Sequence, residues 1–140
     1  MSLSTRAELF AKSIHANQVD KAGKPYIEHL QAVVNNLVEP SEEMVAVAWL
    51  HDSVEDTDQS IDDLTCYFGQ EVAEAVRAIT KVDGEHYDKY LARVKNNPIA
   101  RQVKIADLTH NMDLTRLPVI TNKDLVRKEK YIKAKAFLES

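Results

Sequence analysis

Ser41-Glu42-Glu43-Met44-Val45-Ala46-Val47-Ala48-Trp49-Leu50-His51-Asp52 is the stretch on which the fold turns. Ser41 followed by two acids is an N-cap with negative charge in the first helical turn, where it complements the helix dipole. From Met44 to Leu50 the run is apolar on almost every side, so the helix must be wrapped by others rather than lie on a surface. It runs to about His51 and delivers His51-Asp52-Ser53-Val54-Glu55-Asp56 to the edge of the core. If helical geometry persists, His51 lies over Glu55 and Asp52 over Asp56. Four groups able to bind a metal or move a proton then meet water together, although a helix C-terminus with a solvated acidic tail has the same composition.

Outward from this helix, the breakers are few: 3 glycines and 4 prolines in 140 residues, placed between stretches of helical spacing. The pattern predicts an all-α, single-domain bundle spanning 1–140. Thr5-x-x-Glu8 is a capping-box sequence opening a helix that fades near Asn17. Residues 18–25, with Gly23 and Pro25, form a loop, and a second helix starts close to Tyr26 and ends before Pro40. Ser60-x-x-Asp63 opens a short helix stopped by Gly69, and residues 71–81 continue the spacing until Asp83-Gly84. A helix over 87–96 precedes one that takes Pro98 in its first turn and carries Val103, Ile105, Ala106, Leu108 and Met112 before Leu117-Pro118 closes it. Thr121-x-x-Asp124 caps a final amphipathic helix rich in Lys and Arg.

Composition narrows the function classes. Hydrophobic content of 44% against 29% charged is that of a folded globular chain. The longest apolar run is far below the ~20 residues that span a bilayer, and no signal peptide is visible, so a cytoplasmic protein with no membrane association is expected. The single cysteine, Cys66, allows neither an internal disulfide nor a thiolate zinc site and is expected to fill core space. A net charge of −4 argues against a nucleic-acid partner, so an anionic substrate would need a metal or a local cluster of lysines. A homo-oligomer is compatible with the sequence.

Two further positions join the central cluster. Asp107 is a lone acid in the apolar stretch Lys104-Ile105-Ala106-Asp107-Leu108, one turn ahead of Asn111. A buried acid needs a partner, which a metal, Lys104, Arg101 or an N–H group could each supply. His29 follows Tyr26-Ile27-Glu28, where a packed or exposed histidine is equally compatible. Together His29, His51, Asp52 and Asp107 form a mixed nitrogen and oxygen set suited to Mn²⁺, Fe²⁺ or Zn²⁺.

The motifs His15-x-x-Gln18, Gly23-Lys24-Pro25-Tyr26-Ile27-Glu28-His29, Leu50-His51-Asp52-Ser53-Val54-Glu55-Asp56-Thr57, Phe68-Gly69 and Lys104-Ile105-Ala106-Asp107-Leu108-Thr109-His110-Asn111-Met112 resemble the HD-domain hydrolases of guanosine tetra- and pentaphosphate. The resemblance runs from about Ala7 to Leu117 in the family's order. It implies an HD-type helical bundle with Mn²⁺ held by His29, His51, Asp52 and Asp107, and Glu55 and Asp56 handling the attacking water. Asn111, Lys21 and Lys24 would contact the substrate, a phosphorylated guanosine nucleotide whose 3′-pyrophosphate is removed to give GDP or GTP. Where many relatives carry an arginine that can stack on guanine, this chain has Asp20, and Asp113 and Leu114 replace a common Arg and Thr. His15 and Tyr26 are expected to pack or hydrogen-bond, and His86 and His110 to serve surface and structural roles. Arg127, Lys128 and Lys130 are expected on a solvated face. Two rivals remain at this point: an HD phosphohydrolase acting on another phosphorylated nucleotide, and a regulatory module that binds metal or nucleotide without turnover.

Overall fold

The computed structural model describes residues 1–140, and every regular element is helical. The helices are α1 (Leu3–Ile14), α2 (Tyr26–Asn35), α3 (Glu42–Leu50), α4 (Ser53–Asp56), α5 (Ile61–Phe68), α6 (Gln70–Ile79), α7 (Tyr87–Lys95), α8 (Pro98–Asn111) and α9 (Asn122–Glu139), with a 3₁₀ turn at Leu114–Arg116. None is long and apolar enough to cross a membrane.

The central position expected for α3 is what the fold shows. Ala46 through Leu50 are all buried, and α1, α2, α6 and α8 pack around them. Alanines set the closest approach: Ala7 and Ala11 of α1 are fully buried on the side that meets α3. Side chains this small let two backbones draw near without leaving voids. Ser41 caps α3 by accepting from the Met44 N–H, and Asn97 caps α8 by accepting from Ile99 and Ala100, with Pro98 in the first turn. The capping boxes at Ser60/Asp63 and Thr121/Asp124 are both complete.

The structure departs from expectation in several places. Ser2, not Thr5, caps α1: Thr5 sits three residues inside and donates its N–H to Ser2 Oγ, while Glu8 turns outward to pair with Lys12 at 2.6 Å. The helix ends at Ile14, earlier than Asn17. Cys66 is exposed rather than in the core, because Leu64 and Phe68 already place the buried stripe of α5 on the opposite side of the helix. The last stretch before Pro118 is not continuous helix; α8 stops at Asn111 and the separate 3₁₀ turn follows.

Gly69 joins α5 to α6 without a linker, at φ 93° and ψ 168°, a backbone region open almost only to glycine. A Cβ there would meet no atom within 4 Å, so the constraint is torsional and not steric crowding by neighbours. Gly69→Ala is expected to cost about 1–3 kcal/mol. In a urea titration this appears as a lower midpoint with unchanged slope.

Candidate metal centre and its pocket

α2, α3 and α8 pack on one another, and each contributes one buried ligand-type side chain at the place where they meet. His29 comes from α2, His51 from the end of α3 and Asp107 from α8; their ligand atoms lie within 4.8 Å of one another. His29 Nε2 is 2.9 Å from Asp107 Oδ1, and His51 Nε2 is 3.4 Å from the same oxygen. Asp52 Oδ2 is 3.2 Å from His51 Nε2 and also accepts from the Tyr26 hydroxyl.

The helix does not continue through the acidic segment. At Asp52 the backbone turns to φ −102° and ψ 2°, ending α3 and capping the single turn α4. The Ser53 hydroxyl donates to the Leu50 carbonyl at 2.7 Å, satisfying an acceptor that the end of α3 leaves open. His51 is buried at this break, while the two acids that follow are exposed, and the Asp56 N–H still donates to the Asp52 carbonyl at 2.9 Å. Glu55 Oε1 accepts the Lys81 N–H at 2.6 Å, and Asp56 Oδ2 accepts from Gln18 Nε2 at 3.1 Å.

Hydrogen bonds outside the cluster orient the imidazoles. His51 Nδ1 donates to the Ala48 carbonyl at 2.7 Å, so Nε2 carries the lone pair; that atom is buried with no hydrogen-bond partner. An orphaned buried acceptor beside two carboxylates is the environment a divalent cation satisfies, and two imidazoles with oxygen donors suit Mn²⁺, Fe²⁺ or Zn²⁺ chemistry. His29 Nδ1 lies 2.7 Å from His110 Nδ1. For His29 to offer Nε2 to an ion, its Nδ1–H must donate to His110, which places His110 as the outer partner of a ligand.

The two carboxylates are driven apart electrostatically. Burial opposes ionisation of Asp107, but Lys104 and the neighbouring imidazoles outweigh it and hold the carboxyl well below the usual range. Asp52 is pushed well above that range by burial and by the charges of Asp107 and Asp56. The Lys104 ammonium, 3.1 Å from Asp107 Oδ2, is kept protonated by that carboxylate despite its own burial. Asn111 Nδ2 donates to Asp107 Oδ1 at 3.2 Å.

These residues form the floor of a pocket of about 360 Å³. Of the residues picked from sequence, Lys21, His29, His51, Asp52, Glu55, Asp107 and Asn111 line it. Asp56 and Lys24 are exposed and do not. The walls add cations that sequence reasoning passed over: Lys81, Arg116, and from α9 the supposedly solvated Arg127, Lys128 and Lys130. Burial, and then the like charges of Lys104 and Arg127, lower the pKa of Lys81 and of Lys21 respectively. Spacing along α9 offered a weak signal for Arg127 and Tyr131, one turn apart on one face. Nothing local marked Arg116, whose partner Asp20 is 96 residues away.

The sequence matches the HD domain family over residues 7–107. A probable guanosine-3′,5′-bis(diphosphate) 3′-pyrophosphohydrolase of Synechocystis is 38% identical over 124 residues, covering 79% of this chain and 16% of that protein. The bifunctional (p)ppGpp synthase/hydrolase SpoT of Escherichia coli K12 is 33% identical over 120 residues, covering 76% of this chain and 17% of its own length. The chain thus spans a small part of these curated relatives. Among solved structures, a metazoan ortholog of SpoT described as hydrolysing ppGpp superposes with a TM-score of 0.79 over 99% of this chain and 85% of that one, at 24% identity, a likeness of fold.

His51→Ala is expected to abolish divalent-metal retention, because it removes the orphaned nitrogen. His110→Ala should weaken it by about 10–100-fold, the usual effect of losing a ligand's outer partner. Calorimetric titration of metal into the metal-free protein checks both; undiminished affinity in His51→Ala would sink the assignment of the centre.

Proposed function

The chain belongs to the HD domain family, and from that premise we propose that it is a divalent-metal-dependent hydrolase that removes the 3′-pyrophosphate of guanosine tetra- and pentaphosphate, giving GDP or GTP. The observation that carries this reading is the convergence of His29, His51 and Asp107 on the floor of a lysine-walled pocket. The names of the curated relatives support the substrate. Residues 1–140 are proposed to act as one HD-type unit.

His29, His51, Asp52 and Asp107 would hold the ion, for which Mn²⁺ is proposed on the mixed imidazole and carboxylate set. Such an ion lowers the pKa of water toward neutrality and neutralises phosphate charge. Glu55 would take the proton of the attacking water, a role supported by its Oε1 accepting the Lys81 N–H and by its side chain lining the pocket. Asp56 works at one remove. It holds Gln18, which in turn fixes His15 at 2.7 Å, and so steadies the loop that carries Lys21. Lys21 and Asn111 would contact the substrate, since both line the pocket and Asn111 is oriented by Asp107. The proton given to the leaving 3′-oxygen comes from solvent or from Glu55 after it has been protonated, which closes the cycle.

Lys104 keeps Asp107 anionic from the side away from the two imidazoles: its ammonium meets Oδ2, leaving Oδ1 toward His29 and His51. The wall lysines supply the counter-charge that a chain of net charge −4 lacks on average.

Glu55→Gln is expected to retain metal while lowering kcat by about 10²–10⁴-fold, the usual contribution of a general base. Pyrophosphate release from guanosine 3′-diphosphates by the metal-loaded protein is the direct assay. Release of single phosphates from many nucleotides, or binding without turnover, would overturn the proposal.

A further inference from the structure

The orientation of Glu55 depends on a connection that lies outside the helices carrying the metal cluster. The Glu55 side chain makes a single hydrogen bond to the protein, accepting the Lys81 N–H through Oε1 at 2.6 Å. Glu55 sits on the one-turn helix α4 and is exposed, so no second bond fixes its carboxylate. Lys81 follows the end of α6, in the connection to α7. Whatever holds the backbone at Lys81 therefore aims Glu55.

That backbone is held from α7. Helix α6 runs straight into Thr80 without a glycine, and its last carbonyls need donors from elsewhere. Tyr90 and Arg93, one turn apart on α7, supply them. Arg93 Nη1 donates to the Arg77 and Ala78 carbonyls, both at 2.8 Å, and Nη2 to the Thr80 carbonyl at 3.0 Å. The Tyr90 hydroxyl donates to the Ile79 carbonyl at 2.6 Å. The carbonyls of Arg77, Ala78, Ile79 and Thr80 are thus all tied down immediately before the Lys81 N–H. Glu85 takes the rest of the guanidinium, accepting from Nη2 at 2.7 Å and from Nε at 3.3 Å. These bonds match the N–H donors an arginine has, so Arg93 keeps none for a ligand. Neither Arg93 nor Glu85 lines the pocket. Arg93 Cζ and Lys81 Nζ lie 5.5 and 5.9 Å from the centroid of the Tyr90 ring, which draws the Lys81 side chain into the same assembly.

We infer that Arg93, braced by Glu85, is a positioning residue for the hydrolysis: by fixing the carbonyls that precede Lys81, it sets the N–H that aims the Glu55 carboxylate. This rests on the hydrolase reading above and on the role proposed there for Glu55. A misplacement of about 1 Å in a reacting group can cost about 100-fold in rate even when its cause lies away from the substrate.

A double-mutant cycle tests this, read as kcat for pyrophosphate release from guanosine 3′,5′-bis(diphosphate) by the Mn²⁺-loaded protein. Arg93→Ala should lower kcat by about 10–100-fold. Its Mn²⁺ affinity in a calorimetric titration should stay that of the parent, since the guanidinium bonds only to Arg77, Ala78, Thr80 and Glu85, none of them a ligand. In a Glu55→Gln background, Arg93→Ala should cost no more than about a further twofold, because the group it positions is already gone. Gly69→Ala, which weakens the fold elsewhere, should keep the kcat of the parent. Should Arg93→Ala fail to fold, Glu85→Gln loosens the guanidinium without removing it and should give a smaller loss of kcat that likewise vanishes in Glu55→Gln. An unchanged kcat in Arg93→Ala, losses that multiply in the double variant, or Mn²⁺ affinity falling in step with kcat overturns the inference and leaves the hydrolase reading standing. Full activity in Glu55→Gln overturns it too, by removing the group through which Arg93 acts. Absence of turnover in the parent protein overturns the hydrolase reading and this role with it.

Discussion

The Asp107 carboxylate is buried where α2, α3 and α8 meet, and the site is organised by what satisfies it. Lys104 approaches one oxygen; His29, His51 and Asn111 gather around the other. An unpaired charge at that depth would cost several kcal/mol, so these partners are a condition of folding as well as of function. Lys104 and Asn111 lie one turn before and after Asp107 on its own helix, and their contacts form with α8 itself. The two histidines arrive only when α2 and the end of α3 dock. Closing the core and assembling the centre are therefore one event.

That coupling places the acids at the floor of the pocket and the cations on its walls. The average charge of the chain is negative, yet Lys21, Lys81, Arg127, Lys128 and Lys130 surround the opening. Burial, and secondarily the like charges of Arg127 on Lys21 and of Lys104 on Lys81, lowers the pKa values of these two lysines, a cost that a bound polyanion would relieve. The basic face of α9 thus belongs to the pocket, because α9 packs back across α7 and α8 instead of standing off in solvent.

Much of this was legible residue by residue. The apolar run of residues 44–50 required a wrapped helix, and Ser41, Ser60, Thr121 and Pro98 mark helix starts through bonds that reach no further than one turn. The same locality explains the errors. Ser2 and Thr5 both suit an N-cap, and only the position of α1 against Glu42, which accepts the Ser4 hydroxyl at 2.8 Å, separates them. Cys66 reads as core by residue type, but the faces of Leu64 and Phe68 decide its direction.

What the sequence determined by itself is therefore the set of helices and the residue types available for a metal, since helix spacing, caps and donor chemistry act over one or two turns of chain. Tertiary structure alone decided which of those residues meet. The 2.9 Å approach of His29 to Asp107, the 2.7 Å contact of His29 with His110 and the 2.7 Å pairing of Asp20 with Arg116 join positions 78, 81 and 96 residues apart. No local propensity encodes such distances; they follow from how α2, α3 and α8 pack, and packing is a property of the whole core.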